Sequence, residues 1–125
     1  TDFDANDQFD AASYAKRLDW LSSYEVGGLF AAGGTGEFFS LGLDEYDAVV
    51  KTAVENSDAS VPVIAGVGYG TRIAVDLARR AEAVGASGIL VLPHYLVYAE
   101  QEGIFAHLSA ICDSVGIGTA LKRRP

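Results

Sequence analysis

Four short apolar runs alternate with amphipathic stretches of helical period, and this alternation constrains the chain more than any other feature. The runs cover residues 28–32, 61–67, 88–92 and 117–121. Before the first run, Tyr14, Leu18 and Leu21 are spaced as one helical face, started by Asp10 and stopped at Gly27-Gly28. Tyr46, Val49, Val50, Ala53 and Val54 repeat the i, i+3, i+4, i+7, i+8 pattern of a helix with one buried stripe. Thr71 is placed to cap a third helix with the face Ile73, Leu77, Ala81 and Val84, ended by Gly85. A fourth carries Ile104, Leu108, Ile111, Cys112 and Val115 on one side and ends at Gly116. The strands are almost continuously apolar rather than alternating, as in parallel sheets buried on both faces. Matched positions Leu29, Val63, Ile89 and Ile117 lie 34, 26 and 28 residues apart, the scale of a βαβ unit.

The pattern therefore predicts one α/β domain with a parallel sheet, and two architectures satisfy it: a doubly wound open sheet and a (β/α)₈ barrel. A whole barrel takes about 250 residues, so a chain of 125 holds about half of one, and length by itself favours the open sheet. Half of the residues are hydrophobic, enough for a core. No apolar run approaches the roughly 20 residues of a membrane span, and no secretory signal pattern leads the sequence. With no such run a membrane is not an expected partner, and a formal net charge of −8 opposes a phosphate backbone, so nucleic acid is not one either. The single cysteine, Cys112, has no internal partner for a disulfide, which fits a cytoplasmic setting.

Both architectures put ligands at the C-terminal ends of strands, and three loops lie there: 33–43, 68–72 and 93–101. In the first, "GGTGEFFS" has Gly-Glu where a phosphate-binding loop needs Gly-Lys-Ser/Thr, and its glutamate opposes polyphosphate. In the second, "GVGYGT" spaces its glycines as G-x-G-x-G, which fails the dinucleotide fingerprint. What remains is a glycine turn, Gly33, Gly34 and Gly36, with one hydroxyl, Thr35, and free N–H groups. It suits a small carboxylate, or is a tight βα turn with no ligand. Glu37 is either a reacting carboxylate or a brace for the turn. His94 and Tyr95 in the third loop are able to pass protons, whereas Tyr98 reads as an aromatic rim. His107 reads as a helix-surface residue and Trp20 as packing. Two histidines and one cysteine, far apart, give no metal spacing.

"AAGGTGEFFSL", "PVIAGVGYGT", "GILVLPHYL" and "QEG", in this order from about Asp2 to Thr119, resemble the dihydrodipicolinate synthase and N-acetylneuraminate lyase superfamily. The G-x-T-G-E loop marks the superfamily, and Gly34 with Phe38-Phe39-Ser40 is similar to its dehydratase branch, which acts on 5-dehydro-4-deoxyglucarate. The resemblance implies a partial (β/α)₈ TIM barrel, roughly the first half, from the end of strand 1 to the start of strand 5. It implies a class I lyase with no metal or organic cofactor, in which a lysine forms a Schiff base with the keto group. Loss of CO₂ and water then yields 2,5-dioxopentanoate. The iminium is the electron sink, which is why the nucleophile is a lysine. By resemblance, Gly34, Thr35 and Gly36 hold the substrate carboxylate, Tyr95 is a relay residue reaching toward a neighbouring subunit, and the full-length form is a homo-oligomer. Many siblings carry a second hydroxyl where Gly34 stands.

The departures are as informative. The superfamily's first strand precedes Asp2, and its fifth continues into a Tyr-Asn motif where this chain reads Ala120-Leu121-Lys122-Arg123-Arg124-Pro125. Residues 1–119 thus read as a partial barrel and 120–125 as a divergent basic tail, with an interrupted reading frame expected near Thr119. The Schiff-base lysine belongs to a sixth strand. Lys16 and Lys51 fall on helices and Lys122 in the tail, so none is expected to be the nucleophile. Three readings follow: a fragment of a dehydratase inactive by itself, another keto-acid aldolase or lyase of the superfamily, or a non-catalytic open-sheet domain that binds carboxylates.

Overall fold

Strand order decides between the two architectures. The computed structural model describes residues 1–93 and 99–122. Within them, α1 (Ala11–Ser22), β1 (Leu29–Ala31), α2 (Leu43–Glu55), β2 (Val63–Val67), α3 (Thr71–Ala83), β3 (Gly88–Val91), α4 (Gln101–Cys112) and β4 (Gly118–Leu121) follow one another, with a 3₁₀ turn at Phe38–Ser40. All strand pairs are parallel, and the sheet order is β1-β2-β3-β4. A doubly wound sheet reverses its order at a switch point. This sheet has none, each strand lies beside its predecessor, and successive helices pack on one another, α1 on α2, α2 on α3 and α3 on α4. The chain is a partial (β/α)₈ barrel, and the open sheet favoured by length is set aside.

Side chains at one register point to one face of a parallel sheet. The helix-covered face carries Val63, Ala65, Val67, Ile89 and Val91, all buried, against Val49, Val50, Ala53, Leu77, Ala78 and Ala81 from α2 and α3. Burying a residue of Val or Ile size is worth about 1.5–3 kcal/mol, so this layer is the main source of stability. The inner face is open instead of buried. Phe30 is 62 % exposed, Ile64 and Leu90 are half-buried, and β4 is exposed along its length. Continuous apolarity thus marks a face that a barrel closes with side-chain layers from other strands.

Several local expectations shift. Asp10 caps α1 as read, accepting from Ser13 N at 2.9 Å, but the helix stops at Ser23, before the glycines. Gly70, not Thr71, is the cap of α3, which leaves the Thr71 hydroxyl free for His107. The buried stripe of α3 is Ala74, Leu77, Ala78 and Ala81, turned away from Ile73, which is 46 % exposed. Small alanines win the sheet side because they let the helix approach closely. On α4 only Ile111 is buried, with Ile104 and Cys112 exposed. Trp20 does not pack into the core: it is 57 % exposed and stacks edge-on against Tyr24. The register also slips from the matched positions. Ala65 pairs with Ile89 and Ile89 with Thr119, a stagger that tilted barrel strands require.

Candidate functional site at the strand ends

The loop after β1 folds inward over β2, and two glycines of β2 and its following loop make room for it. A Cβ on Gly66 would collide with the Ala32 carbonyl oxygen. One on Gly68 would come within 2.9 Å of the Phe38 ring. The "GVGYG" glycines are therefore the floor on which the glycine turn lies. Gly36 is itself constrained, since a Cβ there would sit 3.0 Å from Gly33 N.

The turn is closed by Gly36 N and Phe38 N, both donating to Gly33 O at 3.0 and 3.1 Å. Phe38 is buried and anchors it, edge-on to Tyr46 and tilted against Tyr69, whose hydroxyl donates to Phe39 O at 3.2 Å. Ala32, Glu37 and Tyr69 all hold positive φ, at 47°, 64° and 67°. Such backbone costs about 1–3 kcal/mol per residue and gathers at functional sites. Three of the four described non-glycine cases lie at this end of the sheet.

Glu37 acts as a brace: its carboxylate accepts from Ser40 Oγ at 2.9 Å. Gly34 and Thr35 are exposed, and neither their N–H groups nor the Thr35 hydroxyl has a hydrogen-bond partner among the described residues. These unused donors are what a carboxylate takes. Beside the turn runs a groove of about 330 Å³ lined by Thr35, Gly36, Phe30, Leu18 and Arg17. Arg17 is committed to Asp2, with Nη2 at 2.6 Å and Nε at 2.9 Å from its two carboxylate oxygens.

His107 is half-buried on α4, where its Nδ1 lies 2.8 Å from Thr71 Oγ1, so it ties α4 to the start of α3, away from the turn. Lys16 lies on α1, and Lys51 on α2 faces Glu55 at 3.7 Å. His94, Tyr95 and Tyr98 lie outside the described residues. Among the described residues no cluster of His, Cys, Asp and Glu is able to hold a metal, and no helix is long and apolar enough to cross a membrane.

Lys122 follows directly on β4. Ala120 and Leu121, assigned to a divergent tail, pair in β4, and Lys122 N continues the ladder to Val91 O at 3.0 Å. β4 is exposed, so no desolvation opposes a basic residue at its end. The alternation of the strand puts Lys122 on the inner face with Ala120, and its Nζ lies 3.8 Å from where a Cβ on Gly34 would stand.

The fold agrees with comparisons to known proteins. Probable 5-dehydro-4-deoxyglucarate dehydratases of Azotobacter vinelandii and Pseudomonas putida (strain GB-1) are 58% and 54% identical over 124 residues, 99% of this chain. The chain spans 41% of the length of these curated relatives. A dihydrodipicolinate synthase from Bacillus anthracis superimposes with a TM-score of 0.92 at 31% identity, over 97% of this chain and 42% of that one. YagE, a prophage protein of the dihydrodipicolinic acid synthase family from E. coli K12 in complex with pyruvate, gives 0.93 at 32% identity, over 98% and 42%. A sequence model of the dihydrodipicolinate synthetase family matches residues 1–125. The chain belongs to the dihydrodipicolinate synthetase family.

Proposed function

We propose that the chain is the carboxylate-holding part of a Schiff-base lyase that converts 5-dehydro-4-deoxyglucarate to 2,5-dioxopentanoate with release of CO₂ and water. The observation that carries this reading is the glycine turn, with the N–H groups of Gly34 and Thr35 and the Thr35 hydroxyl unpaired among the described residues, beside strained backbone. Relatives named for that dehydration, and a neighbour solved with pyruvate, support a 2-keto acid as the ligand. Gly34, Thr35 and Gly36 bind its carboxylate, and Tyr95 serves as the proton relay of the whole enzyme, in an oligomer working in the cytoplasm. No cofactor enters this reading.

The residues of this chain do not supply the nucleophile. An iminium needs an amine activated by desolvation or by a neighbouring cation. Lys16 and Lys51 lie on helices, the latter beside a carboxylate, and Lys122 is exposed. The chain by itself therefore binds without turnover. Incubation with pyruvate or 5-dehydro-4-deoxyglucarate, borohydride reduction and mass spectrometry test this. No adduct and no CO₂ are expected, whereas a stoichiometric adduct on one lysine with release of CO₂ would overturn the reading. The other keto-acid lyases of the family remain the second reading, separated from the first by the product that the whole enzyme forms.

A further inference from the structure

The turn offers hydrogen-bond donors but no charge of its own, in a chain whose net charge of −8 repels anions. A local cation strengthens the hold of such donors on a carboxylate. Arg17, lining the groove beside the turn, is neutralised by Asp2. Lys122 is not: among the described residues its Nζ has no ion pair or hydrogen bond. Its position is the unexpected part. In a flat sheet, three strand spacings of about 4.8 Å put β1 and β4 about 14 Å apart, beyond a lysine stem. Here the turn folds over Gly66 and Gly68 of the second strand and its loop, and Lys122 reaches back over β3 from the inner face. Two chain segments at opposite edges of the sheet thus meet at Gly34. Glycine at this position keeps the approach open, since any side chain would project toward the ammonium.

We propose that Lys122 and the Gly33–Gly36 turn are the two halves of one anion site, in which the lysine ammonium binds the carboxylate of a 2-keto acid that the turn orients. This rests on the reading of the turn as a carboxylate cradle and adds its charged partner. The interaction is ionic, and no covalent step at Lys122 is involved.

The test is calorimetric titration of the full chain with pyruvate, with hydrogen exchange of the segment 33–37 locating the ligand. Pyruvate is expected to slow exchange there. Lys122→Ala and Lys122→Gln should each weaken binding about fivefold, the scale of an exposed charge pair, while Lys122→Arg retains it. Methyl pyruvate, which lacks the charge, should not distinguish these variants. Unchanged affinity in both neutral variants, with binding still lost in Thr35→Ala, would remove the lysine half and leave the cradle standing. If pyruvate binds without protecting 33–37, or does not bind at all, the cradle reading falls and the pairing falls with it.

Discussion

At the scale of single residues, the tightest requirement lies under the turn and not in it. Gly66→Ala sets a methyl group against the Ala32 carbonyl, a backbone atom that a rotamer change does not move. The expected cost is about 1–3 kcal/mol, the range for overpacked sites, read as a lower denaturant midpoint with the slope unchanged. Gly34→Ala meets only the mobile end of Lys122 and should leave that midpoint in place. Tyr46 points the other way. Its ring packs edge-on to Phe38, but its buried hydroxyl has no partner among the described residues, and burial pushes its ionisation above the ordinary phenol range. Tyr46→Phe removes an unsatisfied polar group at little loss of shape. It should be neutral or stabilising by about 1 kcal/mol in the same assay.

At the scale of elements, the N-terminal segment and α1 are held by carboxylates, which makes them sensitive to acid. The hydrogen bonds from Arg17 hold Asp2 below the ordinary carboxylate range, the backbone N–H of Gln8 does the same for Asp4, and Ser13 N for Asp10. A depressed folded-state value means that the stabilisation is complete above the unfolded value near 3.8 and is lost as pH falls through the lower folded values. Thermal unfolding followed from pH 7 downward should therefore show the contribution of these carboxylates lost below about pH 4. Asp2→Asn should be less stable at pH 7 and show a shallower acid limb.

The same elements mark how far the sequence could be read. Helix α2 was legible because Tyr46, Val49, Val50 and Ala53 are both apolar and buried, so periodicity and packing coincide. In α3 the stripe was read through Ile73 because hydropathy ranks isoleucine over alanine, whereas close packing on β2 and β3 selects the alanines. The turn was legible from its glycines. Its floor was not, since "GVGYG" reads only as a failed dinucleotide fingerprint until Ala32 and Phe38 are seen lying on it. The exposure of β4 was not legible for a related reason, because strand exposure is a property of neighbours that a local apolar pattern does not carry.

At the scale of the molecule, two sheet edges and an inner face are left open. Among the described residues β1 pairs only with β2 and β4 only with β3, so each presents N–H and C=O groups without a strand partner on its outer side. Phe30 on β1 is 62 % exposed, Phe105 on α4 is 73 % exposed, and Leu121 ends β4 in solvent. Open edges beside exposed aromatic residues favour pairing between chains. The cation at the end of β4 is set against this, since charge on an edge strand opposes addition of a second copy. It lies at the strand end, however, and leaves Gly118 to Leu121 unguarded. The chain alone is therefore expected to self-associate at micromolar concentration and to bind an apolar dye. Lysine substitutions at Phe30 and Leu121 should lower both the association and the dye signal without abolishing the helical circular dichroism of α2 and α3. Sedimentation velocity across a concentration series measures the first effect. A monodisperse monomer with one cooperative unfolding transition would mean that the helix-covered layer of Val63, Ala65, Val67, Ile89 and Val91 is enough to hold half a barrel by itself.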